Sequence, residues 1–218
     1  MKQQQMGTVV PLVRLLNQAS FFFRAIKVSS IDELATWNKN RFSAIPEYRV
    51  TQIGRLNGMH ESILYFNNQV LQTLNEIGYD YKTPVVIAGY KVKQDFTALI
   101  IGADQDGEML PEIAEPFLHK ESTKLNHITL NLRKKYYDLT ANDAQAWVYP
   151  SVGNTDESYN LAVYPGLARQ YLGFVGAVVI SKANRSGSMH IEFCFDSDYR
   201  LDYLKGHPEL KRLFKLGD

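Results

Sequence analysis

Cysteine is almost missing: Cys194 stands alone in a chain of 218 residues. A single thiol excludes an internal disulfide and any zinc site built from several cysteines. A reducing compartment is the natural setting, so the protein is expected in the cytoplasm or in an assembled particle. An excess of one charge is missing too. The 24 basic and 23 acidic residues leave a net charge of +1. Affinity for nucleic acid comes largely from neutralising phosphates, so this balance disfavours a dedicated nucleic-acid binder. No hydrophobic run is long enough to span a membrane. The N-terminal stretch VVPLVRLL is broken by Pro11 and Arg14, then by Asn17 and Gln18, and a spanning helix needs about 20 apolar residues. It also lacks the small-residue cleavage site of a signal peptide. No membrane partner is expected.

Complete catalytic and cofactor motifs are absent as well. There is no phosphate-cradling glycine loop of either common type and no G-x-S-x-G elbow. Asp104, Asp106 and Glu108 surround Gly107, but the spacing departs from the twelve-residue calcium loop. No metal and no cofactor are expected. Cys194 lies within the apolar run MHIEFCF, where a thiol is ordinarily structural and unreactive.

What the chain does have is a polar-aromatic composition: 13 tyrosines and, together, 24 asparagines and glutamines. Tyrosine combines contact area with a polar tip, which suits wet interfaces. The local patterns predict helices first. PLVRLLNQASFFFRAI carries a rough helical face over 11–26. Ser30 and Glu33 form a capping box before a helix from about 31 to 41. HESILYFNNQVLQTLNEIG places Ile63, Phe66, Val70, Leu74 and Ile77 on one stripe, with Gly78 as a stop. Strands follow: PVVIAGYKV and FTALIIGA, joined as a hairpin through Lys93-Gln94-Asp95, then YNLAVYPG, LGFVGAVVIS and MHIEFCF. PEIAEPFLHK starts a short helix at Pro111, and HPELKRLFKL closes the chain as another. AWVYP and LAVYP echo one another as two strand exits. This layout predicts an α+β fold, with a mainly antiparallel sheet of five to seven strands, N-terminal helices and a short C-terminal helix. Residues 1–218 read as a single domain, with a helical layer over 1–80 packed on a β-rich layer over 81–218.

Two stretches begin with histidine, LNHITLNL and MHIEFCF. Read as strands, they place His127 beside Thr129 and His190 beside Glu192, because positions i and i+2 share a strand face. Two imidazoles in one cleft could serve as base and acid, with Thr129 on a phosphoryl oxygen. His127-Ile-Thr129-Leu130 resembles the paired His-x-Thr/Ser motifs of the 2H phosphoesterase family. That resemblance implies cleavage of a cyclic or 2′,5′-linked phosphodiester by His127, His190 and Thr129. The second motif departs from the pattern, since Glu192 stands where a hydroxyl is expected.

Arg133, Lys134, Lys135, Tyr136 and Tyr137 form the best nucleic-acid patch, with cations for phosphates and rings for bases. Phe21, Phe22 and Phe23 near one end, and Leu213 and Phe214 near the other, are candidate interface residues. The leading expectation is a non-catalytic structural or adaptor subunit of a homo-oligomer or larger assembly, such as a virus-like or phage-like particle. A 2H-type phosphodiesterase and a nucleic-acid-binding protein are the alternatives.

Overall fold

The computed structural model describes residues 11–103, 110–119, 122–151, 158–183 and 189–216. Its centre is a ten-stranded sheet with the order β1-β5-β6-β7-β3-β2-β4-β8-β9-β10. The strands are β1 (Leu12–Leu16), β2 (Phe21–Lys27), β3 (Leu64–Asn67), β4 (Val85–Val92), β5 (Phe96–Ile100), β6 (Ala146–Pro150), β7 (Tyr159–Val163), β8 (Leu172–Ala183), β9 (Met189–Phe195) and β10 (Leu201–Tyr203). Around them lie α1 (Val70–Glu76), α2 (Pro111–Leu118), α3 (Thr123–Tyr136), α4 (Pro165–Tyr171) and α5 (Pro208–Leu213). Among the described residues only the β5–β6 pairing is parallel; the fold is α+β with a mostly antiparallel sheet.

The sheet is organised by one bent ribbon. β1 pairs with β5 from Leu12↔Ile100 to Leu16↔Phe96, and β2 pairs with β4 from Phe21↔Lys91 to Lys27↔Val85. The two pairings keep one register across the intervening bend, where the Val92 N–H donates to the Ser20 carbonyl at 3.1 Å. β1–β2 and β4–β5 are thus two long strands, each bent once, and the rest of the sheet curls with them. Alternation then sorts the side chains. Phe22, Phe66, Val86, Ala88, Tyr90, Phe96, Ala98, Val148 and Leu161 point into a central core. Outward residues of the β2–β4–β8 half, including Phe23, Val85, Ile87, Val178 and Ile180, join Leu74, Leu210 and Phe214 in a second cluster under α1 and α5. Outward residues of the β5–β6–β7 half, Leu99, Trp147, Tyr149 and Ala162, join Ile113, Phe117 and Tyr137 in a third, under α2 and α3.

Strands buried on both faces carry continuous apolar runs, and that explains why 21–27 is a strand and not part of the expected helix; 12–16 is an edge strand whose leucine spacing coincides with a helical one. Phe22 enters the central core while Phe23 faces the other way, so a row of phenylalanines serves both sides of β2. The expected third helix divides into β3 and the short α1, with Gly78 at φ 59° as its stop. The region 31–42 forms two 3₁₀ turns, Ile31–Thr36 and Lys39–Phe42; Ser30 makes no side-chain cap bond. Strands β1, β2 and β3 therefore stand in the same sheet as the later strands, where a helical layer was expected over 1–80. Lys93-Gln94-Asp95 is a bend between halves of one strand and not a hairpin, since β4 and β5 do not pair with each other. β4, β5, β7, β8 and β9 fall within or across the segments expected as strands, and α2 and α5 lie where short helices were expected. β6 and β7, the two echoing segments, are antiparallel neighbours.

Candidate functional site

LNHITLNL is helical. Ser122 caps α3 by accepting the Leu125 N–H at 3.3 Å. A residue and its second neighbour lie on opposite sides of a helix: His127 is exposed and Thr129 is fully buried. The Thr129 hydroxyl donates to the Arg55 carbonyl. His190 lies on β9, where its Nδ1 is 2.8 Å from the Ser181 Oγ. The two adjacent His-x-Thr/Ser strands that the phosphoesterase resemblance requires are not formed, because one of the two segments is a helix.

The basic-aromatic stretch is likewise divided. Lys134 and Lys135 are exposed, with Lys135 Nζ 4.9 Å from the Tyr136 ring centroid. Arg133 and Tyr137 are internal. Arg133 binds Glu61 with two bonds, Nη1–Oε1 at 2.6 Å and Nη2–Oε2 at 3.1 Å, and also donates to the Tyr164 hydroxyl at 3.0 Å. Burial pushes the Glu61 carboxyl up, but bonds from Arg133, the Gly58 N–H and Tyr164 outweigh it and hold the group below the usual carboxylate range. Tyr137 accepts the Gly102 N–H at its hydroxyl and the Trp147 Nε1–H at its carbonyl. These groups pin α3 to the body and do not form a surface patch.

The apolar ends meet within the chain. Phe23 and Phe214 are buried with ring centroids 5.5 Å apart. Phe22 is in the central core, and Phe21 and Leu213 are half-buried against the second cluster. The five expected interface residues are therefore used within the chain: Phe21, Phe23, Leu213 and Phe214 in the packing between β2 and the C-terminal segment, and Phe22 in the central core. Cys194 is buried beside them, and burial pushes its thiol up to about 12.

Three further features of the surface bear on function. The first is an open groove of about 720 Å³ between α1, the outer face of β8–β9 and α5, with Phe23, Ile87, Val178, Ile180, Ile191 and Phe214 among its walls. Its charged lining residues are Lys211 and Lys215. The second is a hollow of about 550 Å³ beside β2 and β3, bordered by a polar network. Asn67 Nδ2 donates to Asn160 Oδ1 at 2.9 Å and Ser151 Oγ at 3.2 Å; Ser151 and Asn160 both donate to Glu76 Oε1, at 2.6 and 3.0 Å. β2 and β3 share only the Phe23↔Asn67 pair, and this network ties α1 to the sheet at that weak seam.

The third feature is the pair of sheet edges. β1 and β10 are the terminal strands, each paired on one side among the described residues. On β1, Val13 is 54% exposed and Leu15 63% exposed, flanking the exposed Arg14. On β10, Leu201 is 38% exposed and Tyr203 50% exposed, flanking the exposed Asp202. The guanidinium of Arg14 stands 4.2 Å from the Tyr159 ring centroid, and Asp202 Oδ2 lies 3.2 Å from His207 Nε2. The alternation that marks these edges is plain in the sequence at 201–203; at 12–16 it is hidden by a coincident helical spacing of leucines. No protein-family model matches this chain, and no curated protein is measurably similar to it.

Proposed function

We propose that this protein is a non-catalytic structural subunit that joins copies of itself through the edges of its sheet. The observation that carries this reading is the exposed apolar side chains on both terminal strands. An unprotected apolar edge is a template for another strand, and soluble proteins usually blunt such edges with charge, proline or a cover. Here the two edges match. Val13-Arg14-Leu15 presents an apolar, cationic, apolar triplet, and Leu201-Asp202-Tyr203 presents an apolar, anionic, apolar one. Val13 and Leu15 lie on the outer face of the sheet and Leu201 and Tyr203 on the inner face, so with β1 of one copy beside β10 of a second copy turned over, apolar groups meet on one face and Arg14 meets Asp202 on the other. Opposite charges and apolar pairs across neighbouring strands are each worth about 0.2–1 kcal/mol.

Such a contact uses two different surfaces. It is head-to-tail, and so yields a closed ring or an open filament according to the rotation per copy. Static light scattering on a sizing column tests the reading. The expected mass is a multiple of the 24.9 kDa chain that falls on substitution Leu15→Lys, since a lysine on an edge strand discourages pairing. A wild-type protein that is monomeric across the accessible concentration range would contradict it.

A further inference from the structure

The groove between α1, β9 and α5 is left free by pairing at the sheet edges. Its walls come from three directions. Met189 and Ile191 of β9 line it from the sheet, above the buried Phe23, Ile87, Val178 and Ile180; α1 supplies Val70 and Leu71; the C-terminal segment supplies Leu213 and Leu216 above the buried Phe214. Leu71 is 60% exposed at the rim. A hollow of about 720 Å³ falls within the roughly 300–1,000 Å³ of small-molecule sites, which are mostly apolar with a few placed polar groups.

The charge on its lining has one sign. Among the described residues that border it, Lys211 and Lys215 are the charged ones. Among the described residues neither ammonium has an ion-pair partner. They stand four positions apart where α5 ends, the remaining polar lining being Asn68 and Gln69. An apolar trough with cations on its lip fits a molecule that is apolar along its length and anionic at its end. From this juxtaposition we infer that the groove is a binding site for a single-chain aliphatic carboxylate, taken up as a free monomer, with the chain between β9, α1 and the C-terminal segment and the carboxylate at Lys211 and Lys215.

Isothermal titration calorimetry with sodium dodecanoate below its micelle concentration tests this site. Wild type is expected to bind in a saturable one-to-one manner. Octanoate should bind at least about tenfold more weakly, because each buried methylene contributes about 0.8 kcal/mol. The doubly substituted Lys211→Glu, Lys215→Glu protein should weaken dodecanoate by about tenfold or more, and its substitutions are at the surface, so circular dichroism should stay that of wild type. Ile191→Trp, which fills a half-exposed wall, should abolish binding. Dodecyltrimethylammonium should bind wild type more weakly than dodecanoate does, and the double variant should reverse that order. Absence of dodecanoate binding to folded wild type would overturn the inference. So would equal affinity for the cationic and anionic amphiphiles, or affinity unchanged in both variants. Binding to anionic phosphatidylserine vesicles without binding of monomeric dodecanoate would overturn it too, since it would mark a membrane surface instead of a ligand groove.

Discussion

The two outer flanks of the curled sheet are built from the same bent ribbon, yet they are finished differently. On the β5–β6–β7 flank, α2 and the fourteen-residue α3 cover the strands, and the cover is pinned by polar groups. Asn126 donates to the Ile53 carbonyl at 3.0 Å, Thr129 donates to the Arg55 carbonyl, and Arg133 grips Glu61. On the β2–β4–β8 flank, the cover is the seven-residue α1 and the six-residue α5, which pack on the second apolar cluster and are tied by polar groups at one end each, Glu76 of α1 and His207 before α5. Short helices cannot hide the full width of the strands, and the groove is what they leave open. The closed flank resists change through its few polar pins, whereas the open flank keeps apolar surface available.

If this contrast is right, breaking a pin should cost more than trimming the open flank. Arg133→Ala leaves the half-buried Glu61 carboxylate its bonds from Gly58 and Tyr164 but removes its countercharge, and removal of one partner from such a pair should cost about 3 kcal/mol, read as a lower urea midpoint. Retention of wild-type stability would show that the ion pair does not hold the closed flank. Next comes the open flank at Gly176. This residue has φ 136°, and an added Cβ would lie 2.5 Å from Leu210 Cδ2 and 3.0 Å from the Phe195 carbonyl oxygen. Gly176→Ala should cost about 2 kcal/mol through backbone strain and displacement of α5. Urea denaturation checks the cost, and faster amide exchange confined to α5 and its neighbours would locate it. Thr129→Val removes the hydroxyl that satisfies the Arg55 carbonyl and should cost about 1 kcal/mol, with no loss of dodecanoate binding in the groove of the opposite flank.

The smallest expected effect concerns pH. His207 sits between Glu209 and Asp202, with Nδ1–Oε1 at 3.0 Å and Nε2–Oδ2 at 3.2 Å. Bonds to Glu209 and then Asp202 raise its pKa above the usual 6.5, while both carboxyls are lowered. A raised histidine pKa contributes stability that is fully present below the unfolded value and is lost as pH rises through the folded one. The lowered carboxyls contribute stability present above their unfolded values and lost as pH falls. The clasp that joins β10 to α5 should thus matter most between about pH 5 and 6.5. The difference in melting temperature between wild type and His207→Ala should peak in that window and shrink at pH 8. A difference that grew toward pH 8 would refute the assignment.

How much of this was legible in the sequence depended on which side chains face the core. β4, β7, β8 and β9 could be read because alternating or continuous β-branched and aromatic residues fill both of their faces. The α3 helix could not be read as one, because its buried stripe is Asn126, Thr129, Leu130 and Arg133. That stripe has helical spacing but is mostly polar, so a search for apolar periodicity sees only the strand-like alternation of His-Ile-Thr-Leu. The partners of those polar groups, the carbonyls of Ile53 and Arg55 and the carboxylate of Glu61, lie more than sixty residues away and leave no local trace. At the N-terminus the opposite occurred. Leu12, Leu15 and Leu16 match a helical face, yet Arg14 and Leu16 turn inward while Val13 and Leu15 turn out on a sheet edge. The apolar ends were visible in the sequence; that Phe23 and Phe214 would face each other was not, since only the fold brings β2 beneath α5.

The central claim is that β1 of one copy pairs with β10 of the next, and a mixing experiment addresses it most directly. Leu15→Lys blocks one edge and Tyr203→Lys blocks the other, each at an exposed position. Each variant alone should give a light-scattering mass of one 24.9 kDa chain, because neither protein retains both halves of the contact. An equimolar mixture should give a dimer and nothing larger, since one variant keeps a sound β10 edge and the other a sound β1 edge. A mixture that stays monomeric while wild type assembles would contradict the β1–β10 contact, and variants that assemble as wild type does would place the interface elsewhere on the molecule.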